Sequence, residues 1–494
     1  MSKYVLAIDQ GTTSTRAVLF NHDCKIIGIS QKETTLFFPQ PGWVEQNAND
    51  IWISTLTCCA EVLIETGIDV TEIDSIGITN QRETTIVWDR RTGIPIYNAL
   101  VWQSKQSDGI CQRWKEAGFE EKIAEKTGMI IDPYFSASKI RWILENVPGA
   151  MEKAKRGDLM FGTVDSWLIY KLSGQTTHVT DVSNASRTLL SNIFTCDWDD
   201  ELLEMLEVPK SMLPKIMPTS CEYARTAPGI FFNQSIPICS AVGDQQAALF
   251  GQGCFEKGMV KNTYGTGGFM LMNTGDQVVS SAYGLLSTVG WKIGNQVTYA
   301  LEGSIFVSGS LMKWLRDNLK LFTDTKATAD MANSVPDTAG VYVVPAFVGM
   351  GAPYWNSTCK ASIVGLTLGA NQNHIVRAAL EAMAYQSMDV LDAMEKDIGM
   401  KISKMKVDGG ACANNFLLQF QSDLMQCGVE RMKSNELTVT GAAFLAGLAT
   451  GFWKKDDLKV DVDVCFEPKK SASDMEKAYA GWKKAVKNCM AYES

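Results

Sequence analysis

The sequence predicts an α/β protein made of two copies of one unit, each with three strands, a helix and a further strand. Two observations carry this. Apolar runs at residues 4–8 and 17–20 flank the polar string Asp9-Gln-Gly-Thr-Thr-Ser-Thr-Arg16, which reads as a β-hairpin around a Gly-containing turn. The same grammar returns at Lys261-Asn-Thr-Tyr-Gly-Thr-Gly-Gly-Phe-Met-Leu-Met-Asn273, again a short strand, a Gly/Thr turn and an apolar strand.

The first turn is peculiar in its chemistry. It brings together a carboxylate, four successive hydroxyls, a glycine and a guanidinium. Backbone N–H groups beside Gly11 can cradle an anion, the hydroxyls and Arg16 can bond phosphate oxygens, and Asp9 can hold a hydrated Mg²⁺. Taken alone, the string serves equally as an ordinary polar hairpin turn. No Walker G-x-x-x-x-G-K-[ST] string occurs. Residues 25–35 read as a third strand, which Pro39-Gln-Pro-Gly42 breaks. Asn49 or Asp50 then caps a helix with the apolar face Ile51, Leu56, Cys59, Val62 and Leu63. Residues 73–78 form a short buried strand, followed by residues 86–88 and a turn at 89–93. Strand, strand, strand, helix, strand is the order of a ribonuclease-H-like unit. In the second half, residues 299–301 give a strand, 306–319 a helix and 341–345 a buried strand. A long amphipathic helix at 374–397 precedes a strand at 405–408, Gly409-Gly410, a helix at 414–425 and another from about residue 440. The boundary falls near residues 251–258, dividing the chain into domains 1–251 and 252–494. Two such units facing each other place both Gly/Thr turns at the mouth of a cleft, with phosphates between Thr12–Ser14 and Thr266.

At 494 residues, with 46% apolar and 20% charged residues, the composition is that of a globular, core-forming chain. A net charge of −9 with no basic block argues against a nucleic-acid surface or a polybasic membrane patch. A strand beginning by Tyr4 leaves no room for a leader peptide, and no apolar run approaches the length of a membrane span. The C-terminal Ala491-Tyr-Glu-Ser494 is not a peroxisomal tail. These features predict a cytoplasmic protein without stable membrane insertion. The 13 cysteines are odd in number and contain no C-x-x-C, and the three histidines (His22, His178, His374) are far apart. Reduced thiols are expected, with neither disulfides nor a zinc site.

Three other stretches carry chemistry. Gln81-Arg-Glu83 follows a buried strand, and ligands bind at the carboxyl ends of strands in open α/β sheets. Arg82 and Glu83 suit a hydroxylated substrate, whose OH groups both donate and accept; alone they read more readily as a surface ion pair. Gly243-Asp-Gln-Gln246 likewise ends an apolar run. There Asp244 suits a general base taking a proton from an attacking alcohol, or simply a helix cap. Asp408-Gly-Gly410 joins a strand to a helix and lets backbone approach a ligand closely.

Together these strings resemble the FGGY family of carbohydrate kinases, and the likeness runs nearly end to end. It includes Asp9-Gln-Gly-Thr-Thr-Ser14, Gly77-Ile-Thr-Asn-Gln-Arg-Glu-Thr-Thr85 and Asp132-Pro-Tyr-Phe-Ser136 with Lys139 and Trp142. It continues through Asn184-Ala-Ser-Arg-Thr188, Gly243-Asp-Gln-Gln246, Asn262-Thr-Tyr-Gly-Thr-Gly267, Pro353-Tyr-Trp355 and Val407-Asp-Gly-Gly410. The Asn-Gln-Arg-Glu and Asp-Pro-Tyr-Phe strings are similar to members acting on glycerol, rather than on xylulose, gluconate or rhamnulose.

The resemblance implies two actin-like domains across an ATP cleft, and ATP-dependent phosphorylation of glycerol to sn-glycerol 3-phosphate. By the same resemblance Arg82, Glu83, Tyr134, Asp244 and Gln245 bind the glycerol hydroxyls, with Trp102 and Phe269 as an apolar wall and Asp244 as the catalytic base. Thr12, Thr13, Ser14, Arg16 and Thr266 handle the phosphates of ATP. Gly309, Lys313, Gly410 and Asn414 line the nucleotide side, and Asp9 with Asp244 holds Mg²⁺ largely through water. The family also implies a homodimer or homotetramer. Departures exist. Lys313 stands before Trp314 where many relatives have Gln, Asn356 where they often have Asp, and residues 223–235 lack the Gly-Gly-x-Arg loop and the phosphorylated histidine through which some relatives are regulated. Neither form of regulation is expected.

Overall fold

The computed structural model describes residues 3–491, so most of the C-terminal tail considered above lies outside the described residues. The opening hairpin is β1 (Tyr4–Gln10) and β2 (Ser14–Asn21), followed by β3 (Ile26–Glu33) and helix α1 (Ala48–Thr66). Next comes β4 (Ile73–Asn80), then, after a largely helical insertion, β5 (Ser220–Arg225), β6 (Pro237–Gly243) and helix α2 (Asp244–Gly251). The second half begins with β7 (Val260–Tyr264), β8 (Gly268–Gly275), β9 (Leu286–Ile293), β10 (Gln296–Ile305) and helix α3 (Gly309–Asp317). It continues with α4 (Gln372–Ile398), β11 (Lys404–Asp408), α5 (Asn415–Met425), β12 (Gly428–Met432), α6 (Leu437–Thr450) and β13 (Val462–Phe466).

All thirteen strands join one sheet in the order β13-β12-β11-β7-β8-β10-β9-β5-β6-β4-β1-β2-β3. The duplication is explicit in that order. β3-β2-β1-β4-β6 of the first half corresponds to β10-β8-β7-β11-β12 of the second, each an antiparallel triplet continued by two parallel strands. The halves meet in the sheet at β5 and β9 through the pair Ser220↔Ile293. This is the two-domain actin-like arrangement. Register is what positions the site: Gln10, Asn80 and Gly243 lie side by side, so β1, β4 and β6 all end at one line.

Two helices interlock the halves. α6, from the second half, packs on the first half's sheet, where Ser240 Oγ donates to Ala442 O (2.7 Å) and Ser220 Oγ to Leu445 O (2.7 Å). α2 crosses α6 at glycines: a Cβ on Gly441 would lie 2.0 Å from Ala247 O, and one on Gly251 2.0 Å from Leu437 O. Only hydrogen atoms leave room for so close a crossing.

Several elements differ from expectation. Asn47, not Asn49 or Asp50, caps α1, its side chain accepting from Asn49 N (2.8 Å). α3 starts at Gly309 rather than 306 because Ser308 N is drawn to Thr266 O of the second turn (3.0 Å). Tyr342–Val344 pairs with Ser362–Val364 in a separate two-stranded sheet, and Ile86–Asp89 with Leu159–Gly162 in another. β9, unread in the sequence, is the hairpin partner of β10. All thirteen cysteines are free thiols, and no described helix is long and apolar enough to cross a membrane.

Candidate active site

The ends of β1, β4 and β6 deliver three polar groups to one place. Asp9, near the end of β1, lies opposite Arg16 on β2, with Arg16 Nη1 3.9 Å from its carboxylate and 3.3 Å from Glu436 at the start of α6. The turn Gly11–Thr13 is closed by Gly11 N donating to Ser14 O (2.9 Å); Thr12 and Ser14 are half-buried and Thr13 is exposed. Trp102 Nε1 donates to Thr12 Oγ1 (2.8 Å), tying an aromatic wall directly to the first turn. That wall consists of Trp102, with Tyr134 at 5.6 Å and Phe269 at 6.3 Å between ring centroids, so it draws on both halves.

Arg82 and Glu83 follow β4 and are buried. Glu83 takes a left-handed backbone, φ 59°, a conformation that a non-glycine residue keeps only where its surroundings enforce it. Arg82 Nε is 3.2 Å from Asp244 Oδ1, its Nη2 donates to Glu302 Oε1 (3.0 Å) and Tyr134 Oη (3.3 Å), and its Nη1 to Glu302 Oε2 and Gln246 Oε1 (3.3 Å). Glu83 receives Arg187 Nε at 2.6 Å, and Arg187 Nη2 also reaches Glu302 Oε1 at 3.1 Å. Lys139 donates to the carbonyls of Pro133 and Tyr134, holding the loop that carries Tyr134. Lys261 Nζ reaches Gln245 Oε1, Thr263 Oγ1 (3.1 Å) and Phe269 O (3.1 Å).

Burial sets the electrostatics. It raises the Asp9 carboxyl to about 7; Arg16 opposes this and the neighbouring Asp244 adds to it. Asp244 is also raised by burial, with Arg82 and Lys261 pulling against it, while its side chain stays 27% exposed to the cleft. Burial lowers Lys261 and Lys139 to about 8. Glu302 goes the other way: burial pushes it up, but Arg187 and Arg82 together hold it at about 2. Asp9 and Asp244 form an oxygen-only pair of mutually repelling carboxylates, which suits a hard, mostly hydrated divalent cation. No cluster of three or more His, Cys, Asp or Glu that would enclose a metal occurs among the described residues.

The second turn faces α3 and α5. Thr266 is exposed, and its carbonyl accepts from Ser308 N (3.0 Å) and Ser310 Oγ (2.8 Å). Gly309 N donates to Gly265 O (3.0 Å), and a Cβ on Gly309 would meet that oxygen at 2.6 Å, so the start of α3 presses on the turn. Gly409 has φ 93°, with any Cβ 2.3 Å from Tyr264 O, which brings Gly410 up beside the same turn. Asn414 caps α5, accepting from Leu417 N (3.1 Å) and donating to Thr328 Oγ1 (3.1 Å). Lys313 is exposed on α3, one turn beyond Gly309.

The structure thus brings Asp9, Thr12, Arg16, Arg82, Glu83, Trp102, Tyr134, Asp244, Gln245 and Phe269 together at the strand ends. Gly309, Gly410 and Thr266 gather around the second turn, with Asn414 and Lys313 on the adjoining helices. Sequence reasoning gave no role to Arg187, Lys261 or Lys139, although each stands in a string it singled out, and did not notice Glu302. For Glu302 the available signal was an isolated charge inside a strand with no other charge, since a charge is buried only where it is paired.

Duplicated α/β domains, each opening on a Gly/Thr hairpin turn, define the actin-like ATPase fold. Residues 4–251 match the N-terminal domain and residues 260–450 the C-terminal domain of the FGGY family of carbohydrate kinases. The chain belongs to that family. It is 56% identical to the glycerol kinase of Bacillus subtilis and 57% identical to that of Bacillus licheniformis, covering 100% of each chain in both cases. Among solved structures, the Plasmodium falciparum glycerol kinase with ADP matches with a TM-score of 0.90 at 36% identity, covering 99% of this chain and 98% of that one. A gluconate kinase from Lactobacillus acidophilus shares the fold with a TM-score of 0.88 at 22% identity, over 100% of this chain and 99% of that one.

Proposed function

We propose that the protein transfers the γ-phosphoryl group of ATP to a terminal hydroxyl of glycerol, yielding sn-glycerol 3-phosphate and ADP. The observation that carries this is the full-length 56–57% identity to Bacillus glycerol kinases. The site has the matching chemistry: buried Arg82 and Glu83, and Asp244, beside an aromatic wall.

Arg82 donates to the substrate's hydroxyl oxygens and Glu83 accepts from its hydroxyl hydrogens, while Trp102 and Phe269 cover the carbon backbone. Asp244 takes the proton of the attacking hydroxyl as the new O–P bond forms and the bond from the γ-phosphorus to the β–γ bridging oxygen breaks. Gln245, its carbonyl oxygen held by Lys261, turns its amide N–H groups to a hydroxyl. Thr12, Thr13, Ser14, Arg16 and Thr266 donate to the phosphate oxygens; Gly309, Lys313, Gly410 and Asn414 flank the nucleoside. Asp9 and Asp244 would hold Mg²⁺, which supplies charge neutralisation of the phosphates. Domains 1–251 and 252–494 close over the substrates and exclude water, the competing phosphoryl acceptor. The free thiols agree with a cytoplasmic location; the assembly is a homodimer or homotetramer, to be read from light scattering.

The test is ADP release from Mg-ATP with and without glycerol, in parallel with dihydroxyacetone, erythritol, xylulose and gluconate. Strong stimulation by glycerol is expected. No stimulation by glycerol would remove the assignment, and stimulation by another polyol alone would move the specificity.

A further inference from the structure

We propose that Arg187 and Glu302, neither of which contacts Asp244, are positioning residues that hold Arg82 and Glu83 in the geometry needed to grip a polyol. This deepens the glycerol reading and rests on it.

The four side chains form a continuous ionic frame from Arg82 through Glu302 and Arg187 to Glu83. Glu302 faces both Nη atoms of Arg82 and accepts from Arg187 Nη2, while Arg187 Nε donates to Glu83 Oε1. Two cations are matched by two anions, and all four residues are at most 3% exposed. The frame links the halves, because Glu302 lies on β10 and its partners belong to the first half. Stability alone does not account for such an arrangement, since well-packed apolar replacements of buried ion networks are often neutral or stabilising.

The geometry divides the Nη donors of Arg82 into two kinds. The paired contacts to Glu302 set the plane of the guanidinium. The two 3.3 Å contacts, to Tyr134 Oη and Gln246 Oε1, are the long ones that an incoming hydroxyl can replace. Arg187 acts likewise on Glu83. It occupies Oε1, and Oε2 receives no hydrogen bond from the described residues, so one carboxylate oxygen is fixed and the other remains for substrate. The guanidinium of Arg187 is itself fixed against Tyr134 and Phe135, 5.4 and 5.3 Å from their ring centroids.

The frame also governs the charge of Glu83. Burial raises its carboxyl, while Arg187, first, and Arg82 oppose that rise; Glu302 adds to it. Tyr134 and Lys139 are the other titratable groups facing it. Removing the Arg187 charge therefore lets Glu83 hold a proton to higher pH, where it no longer accepts from a hydroxyl with that oxygen.

The experiment measures glycerol KM, ATP KM and their pH dependence in wild type, Arg187→Gln, Arg187→Lys and Glu302→Gln. Arg187→Gln should raise glycerol KM by about 10- to 100-fold, the worth of a hydrogen bond to a charged group, and leave ATP KM within about twofold. Its glycerol KM should improve with rising pH more steeply than in wild type, as Glu83 regains its charge. Arg187→Lys keeps the charge and should restore most of the affinity and the wild-type pH profile. Glu302→Gln should also raise glycerol KM selectively. Glycerol KM unchanged, ATP KM rising in parallel, or superimposable pH profiles would overturn the proposal while a glycerol-stimulated wild type kept the assigned function. Should Arg187→Gln fail to fold, the selective rise in glycerol KM is read from Glu302→Gln instead. A wild type that glycerol does not stimulate would overturn both.

Discussion

Asp244 combines three properties that a base for an alcohol needs: it stands at a strand end, keeps one edge open to the cleft, and is pushed by burial towards holding a proton. Asp244→Asn preserves its shape but not its basicity. It should lower kcat by about 10²–10⁴, the usual worth of a positioned base, with an unchanged thermal melt; retention of near-full activity would exclude Asp244 from that role. Trp102 has two functions in one side chain, an apolar face and an N–H bonded to Thr12 Oγ1. Trp102→Phe keeps the face and removes the bond. A neutral hydrogen bond contributes about 0.5–1.5 kcal/mol, so kcat/KM should fall by roughly 2- to 13-fold, and steady-state kinetics with both substrates would show it.

At the level of elements, the crossing of α2 and α6 connects the two halves. Its closeness depends on Gly441 and Gly251, each of which faces the other helix's backbone at a distance no methyl group can occupy. Gly441→Ala must push the helices apart, and overpacking of this kind costs about 1–3 kcal/mol. The denaturant midpoint should drop accordingly. α2 begins at Asp244, so kcat should fall as well, whereas Gly399→Ala, with nothing within 4 Å of its Cβ, should change stability without touching kcat.

For the whole molecule, the buried charges that build the site also shape its response to pH. Glu302 sits at about 2 against a usual value of 4.5, because two buried arginines outweigh its burial. Its folded-state pKa is depressed, so its contribution is present above pH 4.5 and lost as pH falls towards about 2. In Glu302→Gln the decline of unfolding free energy across that window should be shallower, by up to one proton in slope, when acid unfolding is followed by intrinsic tryptophan fluorescence. An identical acid limb would mean that Arg82 and Arg187 do not hold Glu302 ionised.

Much of this was legible in the chain itself. The hairpin around Gly11, its echo around Gly265–Gly267 and the strands ending at Asn80 and Gly243 are local patterns, written within a few residues by apolar alternation and turn chemistry. They were sufficient for the duplicated actin-like fold and for the family. Boundaries shifted where a local competitor won, as with Asn47 taking the cap of α1 and Thr266 delaying the start of α3. Other features belonged to tertiary structure alone. Glu302 meets Arg82 across 220 positions of chain, α6 leaves its own half to cover the other, and Tyr342–Val344 forms a sheet apart. A buried charge shows in sequence only as an exception to an apolar run; which charge answers it is settled by the sheet order that brings two distant strands side by side.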